Sequence, residues 1–328
     1  MKTKTGRLKK ACLYWGAAAI GLLLLSCFVG KYTLSWEKLM IPGSMDRRVF
    51  LRLRLPRGLM AFLAGAVLSL SGSIYQTVFR NPIASPDVIG TASGASAGAA
   101  FGILFLGGST LAVTGSAFAG ALIAVAACLL LGRATGKNSA VTLLLCGMVV
   151  NALCQAILMY LKFTADTEHQ LAAIEFWLMG SFSDVTGEKL LRVLPFAAIG
   201  TAGIFALGRK ILLLTLDDDE ASMMGVSVPM VRCAALVCAT LVTAGVISSC
   251  GLISFIGLIP PHMARLTGKT NSRRVWLLSM FMGGALLTGS DILARSIAEA
   301  EVPVSIITSF VGAPVLFALL RGKRRNIQ

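Results

Sequence analysis

The stretch from Arg54 to Gly94, RLPRGLMAFLAGAVLSLSGSIYQTVFRNPIASPDVIGTASG, decides the fold class. An apolar run bounded by Arg54, Arg57 and Arg80 stops at Asn81-Pro82 and restarts as a segment of small residues. In lipid, backbone N–H and C=O groups have only one another as partners. A span must therefore be helical, and a proline-rich turn must reach water or lie buried in protein. Gly65, Gly72, Gly90, Gly94 and Gly98 carry no side chain to hold neighbouring helices apart, and close approach is how helices associate where lipid is as apolar as leucine. The stretch reads as two membrane helices joined by a turn.

The rest of the chain agrees. Of its 328 residues 56% are apolar and 14% charged, and the mean hydropathy is +0.80, which leaves too little polar surface for a water-soluble domain. A helical span needs ~20 residues, and apolar segments lie near 11–30, 58–79, 88–106, 111–131, 140–161, 191–208, 231–250, 252–264, 275–296 and 304–320. This predicts an all-α polytopic membrane protein of about ten transmembrane helices, forming a single domain over 1–328. Residues 1–10 and 321–328 would be tails and 11–320 the helical core, with the eighth segment too short to cross alone.

A net charge of +15 raises nucleic acid as a partner. The basic residues sit between apolar segments, however, rather than in one stripe with aromatics, so a lipid bilayer accounts for them and no nucleic acid is expected. Most of the Lys and Arg, including those of Lys2–Lys10 and Arg321–Arg325, fall on one side if both termini are cytoplasmic, as the positive-inside rule requires. The expected location is a plasma or inner cell membrane. The first apolar run follows basic residues as a signal peptide would, but it is long and lacks a small-x-small site, so it reads as a retained helix. The eight cysteines lie in or beside apolar segments without CxxC spacing and read as small hydrophobes.

Segment 209–230 is the charge-rich loop that is not a tail. Asp217, Asp218, Asp219 and Glu220 stand where a helix would start, complementing its N-terminal dipole, and Gly225 marks its end. On the opposite face, 31–57 holds an excess of basic residues over Glu37 and Asp46, which suits either lipid headgroups or an acidic partner.

Catalytic and metal patterns fail on context. Gly94-Ala95-Ser96-Ala97-Gly98 matches the nucleophile-elbow pattern but lies inside an apolar helical run with no histidine partner. His169 and His262 belong to no metal-ligand spacing. Gly132 to Asn138 resembles a phosphate loop with one residue too few and Asn where Ser or Thr should hold magnesium, so Arg133 and Lys137 read as inner-face anchors.

Several motifs, taken in order, resemble the FecCD-type permease subunits of ABC importers for iron-siderophores, haem and cobalamin. They are Arg54-Leu55-Pro56-Arg57, Arg80-Asn81-Pro82, Ser85-Pro86-Asp87, Ser93-Gly94-Ala95, Asp219-Glu220-Ala221, Gly257 to Arg265 (GLIPPHMAR), Asp291 with Ala294-Arg295, and Gly312-Ala313-Pro314. The likeness covers about residues 50 to 320. It departs from the pattern at Ser305, where glycine is usual, at the second proline Pro260, and at Asp218.

The resemblance implies a cobalamin-importer-like permease whose spans 2–5 and 7–10 are inverted repeats. It further implies a second permease copy, identical or homologous, two cytoplasmic ATPase subunits that carry ATP and magnesium, and an external substrate-binding protein. The expected function is passage of an iron-siderophore-like chelate, or haem or cobalamin, by alternating access. No catalytic residue, cofactor or metal is expected on this chain. Asp219, Glu220, Ala221, Gly225 and Val226 are implied as the ATPase coupling element, and Arg54, Arg57 and Arg295 as docking residues for the binding protein.

Arg80-Asn81-Pro82 and Pro260-Pro261-His262 are read as helix-ending turns, since proline removes a donor and clashes with the preceding turn, with Arg80 and Arg265 anchored at the inner face. His262 as a haem ligand is the less favoured alternative. The rival function, an ion-coupled secondary transporter, would need acidic groups within the membrane, for which Asp291 and Glu175 are the candidates.

Overall fold

The computed structural model describes residues 2–30, 32–33, 35–136, 139–268 and 271–325, and every regular element among them is helical. In chain order these are α1 (Lys2–Phe28), α2 (Trp36–Leu39), α3 (Met45–Val49), α4 (Leu55–Val78), α5 (Thr91–Phe105), α6 (Thr110–Ala134), α7 (Ala140–Thr164) and α8 (Gln170–Met179). They continue with α9 (Gly187–Ala206), α10 (Gly208–Leu213), α11 (Asp218–Met223), α12 (Val228–Cys250), α13 (Ile259–Gly268), α14 (Arg273–Ala294) and α15 (Val304–Arg325). Lys137 and Asn138 of the loop resembling a phosphate loop, and the tail residues 326–328, lie outside the described residues.

Local chemistry sets the helix starts. Ser109 and Ser139 accept hydrogen bonds from the N–H groups of Ala112 (3.3 Å) and Thr142 (3.1 Å), capping α6 and α7. Pro56 stands in the first turn of α4, where a missing N–H leaves no bond unmade. A π-turn at Phe50–Arg54 joins α3 to α4, so one helix runs over Met45–Val78, longer than the expected 58–79. At ~1.5 Å per residue it exceeds the ~30 Å hydrocarbon layer, and its early turns stand clear of lipid.

Among the described residues seven helices are long and apolar enough to cross a bilayer, and Thr91–Phe105, Gln170–Met179 and Val304–Ala318 are shorter apolar helices. The expected eighth span resolves into an irregular segment, 251–258, followed by α13. Pro260 and Pro261 therefore lie in the first turn of α13 and open a helix, which corrects the expectation that they end one. The physical reason is that a helix start has N–H groups to spare. Helix α8 falls inside a stretch expected to be a connection between spans.

Helix α4 is the axis of the bundle. It lies against α14, α12 and α1 and is 83% buried over its most apolar window, whereas α1 is 17% buried and forms the rim. Its small residues explain the packing. A Cβ at Gly65 would run into the carbonyl of Gly283, and one at Gly72 into the carbonyl of Gly257. Ser96 bonds back to the carbonyl of Ala92 at 2.8 Å within α5, as the small-residue reading of that motif requires.

Gly72→Ala is expected to destabilise the detergent-solubilised protein by about 1–3 kcal/mol or more through overpacking. Gly115→Ala, where an added methyl meets nothing within 4 Å, should be neutral or better in the same thermal-unfolding measurement.

Candidate functional site

The residues singled out in the sequence collect at the two ends of α4. At its beginning stand Arg54, Arg57 and Arg295, all buried. Arg57 donates to Asp291 (Nη2 to Oδ1 2.8 Å, Nε to Oδ1 3.0 Å) and to both Glu301 oxygens at 2.9 Å. Asp291 is fully buried, and Arg295 approaches its other oxygen at 3.6 Å while donating to Ser26 Oγ at 2.7 Å. Arg54 donates to the carbonyls of Cys27 (3.3 Å), Phe28 (2.6 Å) and Tyr32. Arginine's planar fork suits this task, because several fixed donors can satisfy acceptors on separate elements at once.

All three arginines thus hold α1, α4 and α14 together from within the chain. The Tyr32 hydroxyl donates to Asp46 at 2.8 Å, and that carboxylate raises the phenol above its ordinary range.

Asp291 is consumed by this network, and Glu175 of α8 is paired with Lys162 of α7, so the two acidic candidates for ion coupling are each neutralised by a basic partner.

At the other end, Arg80 has a left-handed backbone (φ 48°), a conformation that costs a non-glycine residue about 1–2 kcal/mol. Its side chain supplies the compensation. Nε donates to the carbonyl of Leu214 at 3.0 Å, Nη1 to Asp217 at 3.1 Å and Nη2 to Asp218. Buried Arg232 of α12 donates to the same Asp218 carboxylate at 2.9 and 3.1 Å. Asn81 Oδ1 accepts from the N–H of Ile83, fixing the turn before Pro82 has to be accommodated.

Helix α11 is therefore bolted to the ends of α4 and α12. It begins with Asp218, Asp219 and Glu220 in its first turn and ends at Gly225, whose φ of +78° leaves nothing within 4 Å of an added Cβ. Ala221 and Val226 turn inward, whereas Asp219, Glu220 and Gly225 are exposed.

The second proline turn packs beside that same end of α4. Arg265 donates to Gln76 Oε1, and Gln76 Nε2 donates to the carbonyl of Leu258 at 3.1 Å, so the side chain of Arg265 is bound inside the bundle. His262 is half-buried, and among the described residues no three His, Cys, Asp or Glu side chains gather as a metal site.

Sequence reasoning missed Arg232 and the methionines Met223 and Met224, which are 88% and 62% exposed on α11. The available signal was the pairing of adjacent flexible apolar side chains with an acidic run in a polar loop, a composition suited to an adaptable contact surface.

Residues 18–322 match the FecCD transport family. The chain belongs to that family. It is 32% identical over 313 residues to the molybdate import system permease protein MolB of Haemophilus influenzae, covering 92% of this chain and 93% of that one. It is 34% identical over 319 residues to the hemin transport system permease protein HmuU of Yersinia pestis, at 93% of each. Among solved structures it resembles one described as a metal-chelate type ABC transporter in an inward-facing conformation, with TM-score 0.88 and 31% identity over 96% of this chain and 99% of that one.

As a FecCD permease the chain is a multi-pass membrane subunit that works within an ABC importer complex. It is a transport subunit and not an enzyme, because ATP hydrolysis belongs to separate subunits of such importers.

Removing Arg57 leaves the Asp291 carboxylate buried with only the more distant Arg295. Arg57→Ala is expected to cost about 3–5 kcal/mol. Replacing Arg57 and Asp291 together by leucine leaves buried Arg295 without its carboxylate, so it should recover only part of the loss, as read by thermal unfolding of the two variants in one detergent.

Proposed function

We propose that this permease passes an iron-siderophore-like chelate, or haem or cobalamin, from an external binding protein to the cytoplasm by alternating access, driven by two ATPase subunits. A second permease copy, identical or homologous, completes the pathway. In this reading both termini and α11 face the cytoplasm, where the basic tails belong. The Arg57 end of α4 then faces outward.

The observation that supports the reading most directly is the mounting of α11. A short helix that presents Met223, Met224, Asp219 and Glu220 to water while Arg80 and Arg232 clamp its start can pass a push from an ATPase to α4 and α12 with little slack. Gly225 stops the helix and frees its far end for a cleft in that partner. At the outer face, acidic side chains of the binding protein reach Arg57 by exchange with Glu301, which is 35% exposed, while Arg54 and Arg295 hold the surface in shape beneath. Relatives named for molybdate and for hemin share this fold, so cargo differs among members of the family.

The test is uptake of a ferric hydroxamate, haemin or cyanocobalamin into vesicles holding the permease, its ATPase and its binding protein. Uptake should require ATP at the α11 side and be absent with an ion gradient alone; gradient-driven uptake without ATP would sink the reading. Gly225→Val forces a β-branched residue into left-handed backbone at about 1–2 kcal/mol or more. It should lower ATP-driven uptake about tenfold while leaving the melting of the bundle unchanged.

A further inference from the structure

Between α4 and α5 the chain does not simply turn at the membrane face. Residues 81–90, including a 3₁₀ turn at Pro86–Ile89, run back into the bundle. Pro86 lies beside Gly257, which faces Gly72 and the carbonyl of Leu68 in the half of α4 nearer Arg80. On its other side Val88 and Ile89 press against Gly147 of α7. The segment therefore sits inside the bundle, towards the Arg80 end of α4, next to the second irregular segment, 251–258.

Between these two broken segments lies an open pocket of about 260 Å³, lined by Leu68, Asp87, Thr243, Ser254, Phe255 and Leu258 among others. Asp87 is exposed to it and accepts a hydrogen bond from Ser85 Oγ at 3.3 Å. Among the described residues lining the cavity it is the single ionisable group, and no Lys or Arg forms an ion pair with it.

A carboxylate inside a membrane-spanning bundle is costly, so it is found where it faces water or a passing ligand. Irregular backbone within the bundle is itself tolerated only where it is buried in protein or lines a water-filled cavity. The opposite reading, a carboxylate with a structural partner, fits Asp291, which two arginines hold, and does not fit Asp87.

We propose that Asp87 is a charge filter on the transport pathway, favouring cargo that presents positive charge or N–H and O–H donors and disfavouring bare oxyanions. This rests on the importer reading for its cargo, but the field of Asp87 is a property of the permease alone. An unscreened carboxylate at ~4 Å shifts a monovalent ion by about 1 kcal/mol even at the dielectric of water, with opposite sign for cation and anion. The filter therefore separates the two charges by tenfold or more.

The experiment reads that separation directly. Ser254→Cys puts a thiol in the cavity of the assembled transporter in lipid, with labelling of the eight native cysteines subtracted by a parallel sample lacking the substitution. The probes are two methanethiosulfonates of similar size, one bearing trimethylammonium and one sulfonate, each rate divided by its rate with a free thiol in solution. The cationic probe should react at least about tenfold faster with Asp87 present. The bias should fall to within about twofold of unity in Asp87→Asn and persist in Asp87→Glu.

Should Asp87→Asn fail to assemble, the chain with Asp87 intact still decides, because raising salt from about 0.01 M to 1 M shortens the screening length from ~30 Å to ~3 Å and should shrink the bias. Equal rates for the two probes, a bias that survives Asp87→Asn, or no labelling of Ser254→Cys would each overturn the proposal. These rates need neither cargo nor ATP, so failed ATP-driven uptake would sink the importer reading and leave the filter standing. Unbiased labelling would do the reverse.

Discussion

Everything in this structure depends on one constraint, that backbone polar groups inside the membrane must find partners within the protein. Most of the chain meets it by being helical. The irregular segment 251–258 cannot, and side chains on neighbouring helices complete its bonding. Ser69 donates to the carbonyl of Ile256 at 3.0 Å, Gln76 to that of Leu258 at 3.1 Å, and Ser305 to that of Leu252 at 2.6 Å. Ser305, a departure from the family pattern, therefore has a structural role here. An exposed carbonyl of the broken segment receives a hydroxyl from the start of α15, where glycine would offer none.

The same constraint explains why α4 carries so many small polar residues. Ser71 meets Thr243 at 2.7 Å and Tyr75 meets Thr240 at 3.0 Å, so α4 and α12 are joined by hydroxyls as well as by close backbone approach. Such bonds contribute only about 0.6 kcal/mol each on average in membranes. Their number along one interface, together with glycines that admit neighbouring carbonyls, gives the axis a rigidity that the lipid-facing helices do not share. A rigid axis matters because its ends carry the charges. Arg57 and its acceptors fix one end against α14, and Arg80 fixes the other against α11, so displacement at either end is transmitted along a single element.

Fold class and the short helix in the charge-rich loop were legible because hydrophobic length, proline turns and an acidic helix start are local signals. Gly225 is the clearest instance. A glycine after an acidic six-residue segment predicts a left-handed stop, and the backbone is left-handed there. The state of the charged residues was not legible. Arg54, Arg57 and Arg295 look alike in the sequence, and nothing local reveals that their acceptors come from residues as distant as Cys27, Asp291 and Ser26. Pro260 and Pro261 misled for a related reason. A proline pair marks a helix boundary, but the sign of that boundary depends on whether the helical pattern continues before or after it, and the apolar run 252–264 masked the irregular half.

Two aspartates on this chain illustrate how burial and partnership together separate structure from function. Asp291 is fully buried and bonded to arginine on two sides, and its charge is neutralised within the fold. Asp87 is exposed to a pocket among apolar and hydroxyl side chains and accepts a hydrogen bond from Ser85. In the sequence Asp291 lies inside an apolar segment and stands out as a candidate for ion coupling, whereas Asp87 lies in a proline turn beside one. Their roles separate only when the chain's two irregular segments are brought together, which is a consequence of Gly72 and Gly257 meeting backbone to backbone. Close packing of glycines at the axis thus determines where a carboxylate can stand inside the bundle.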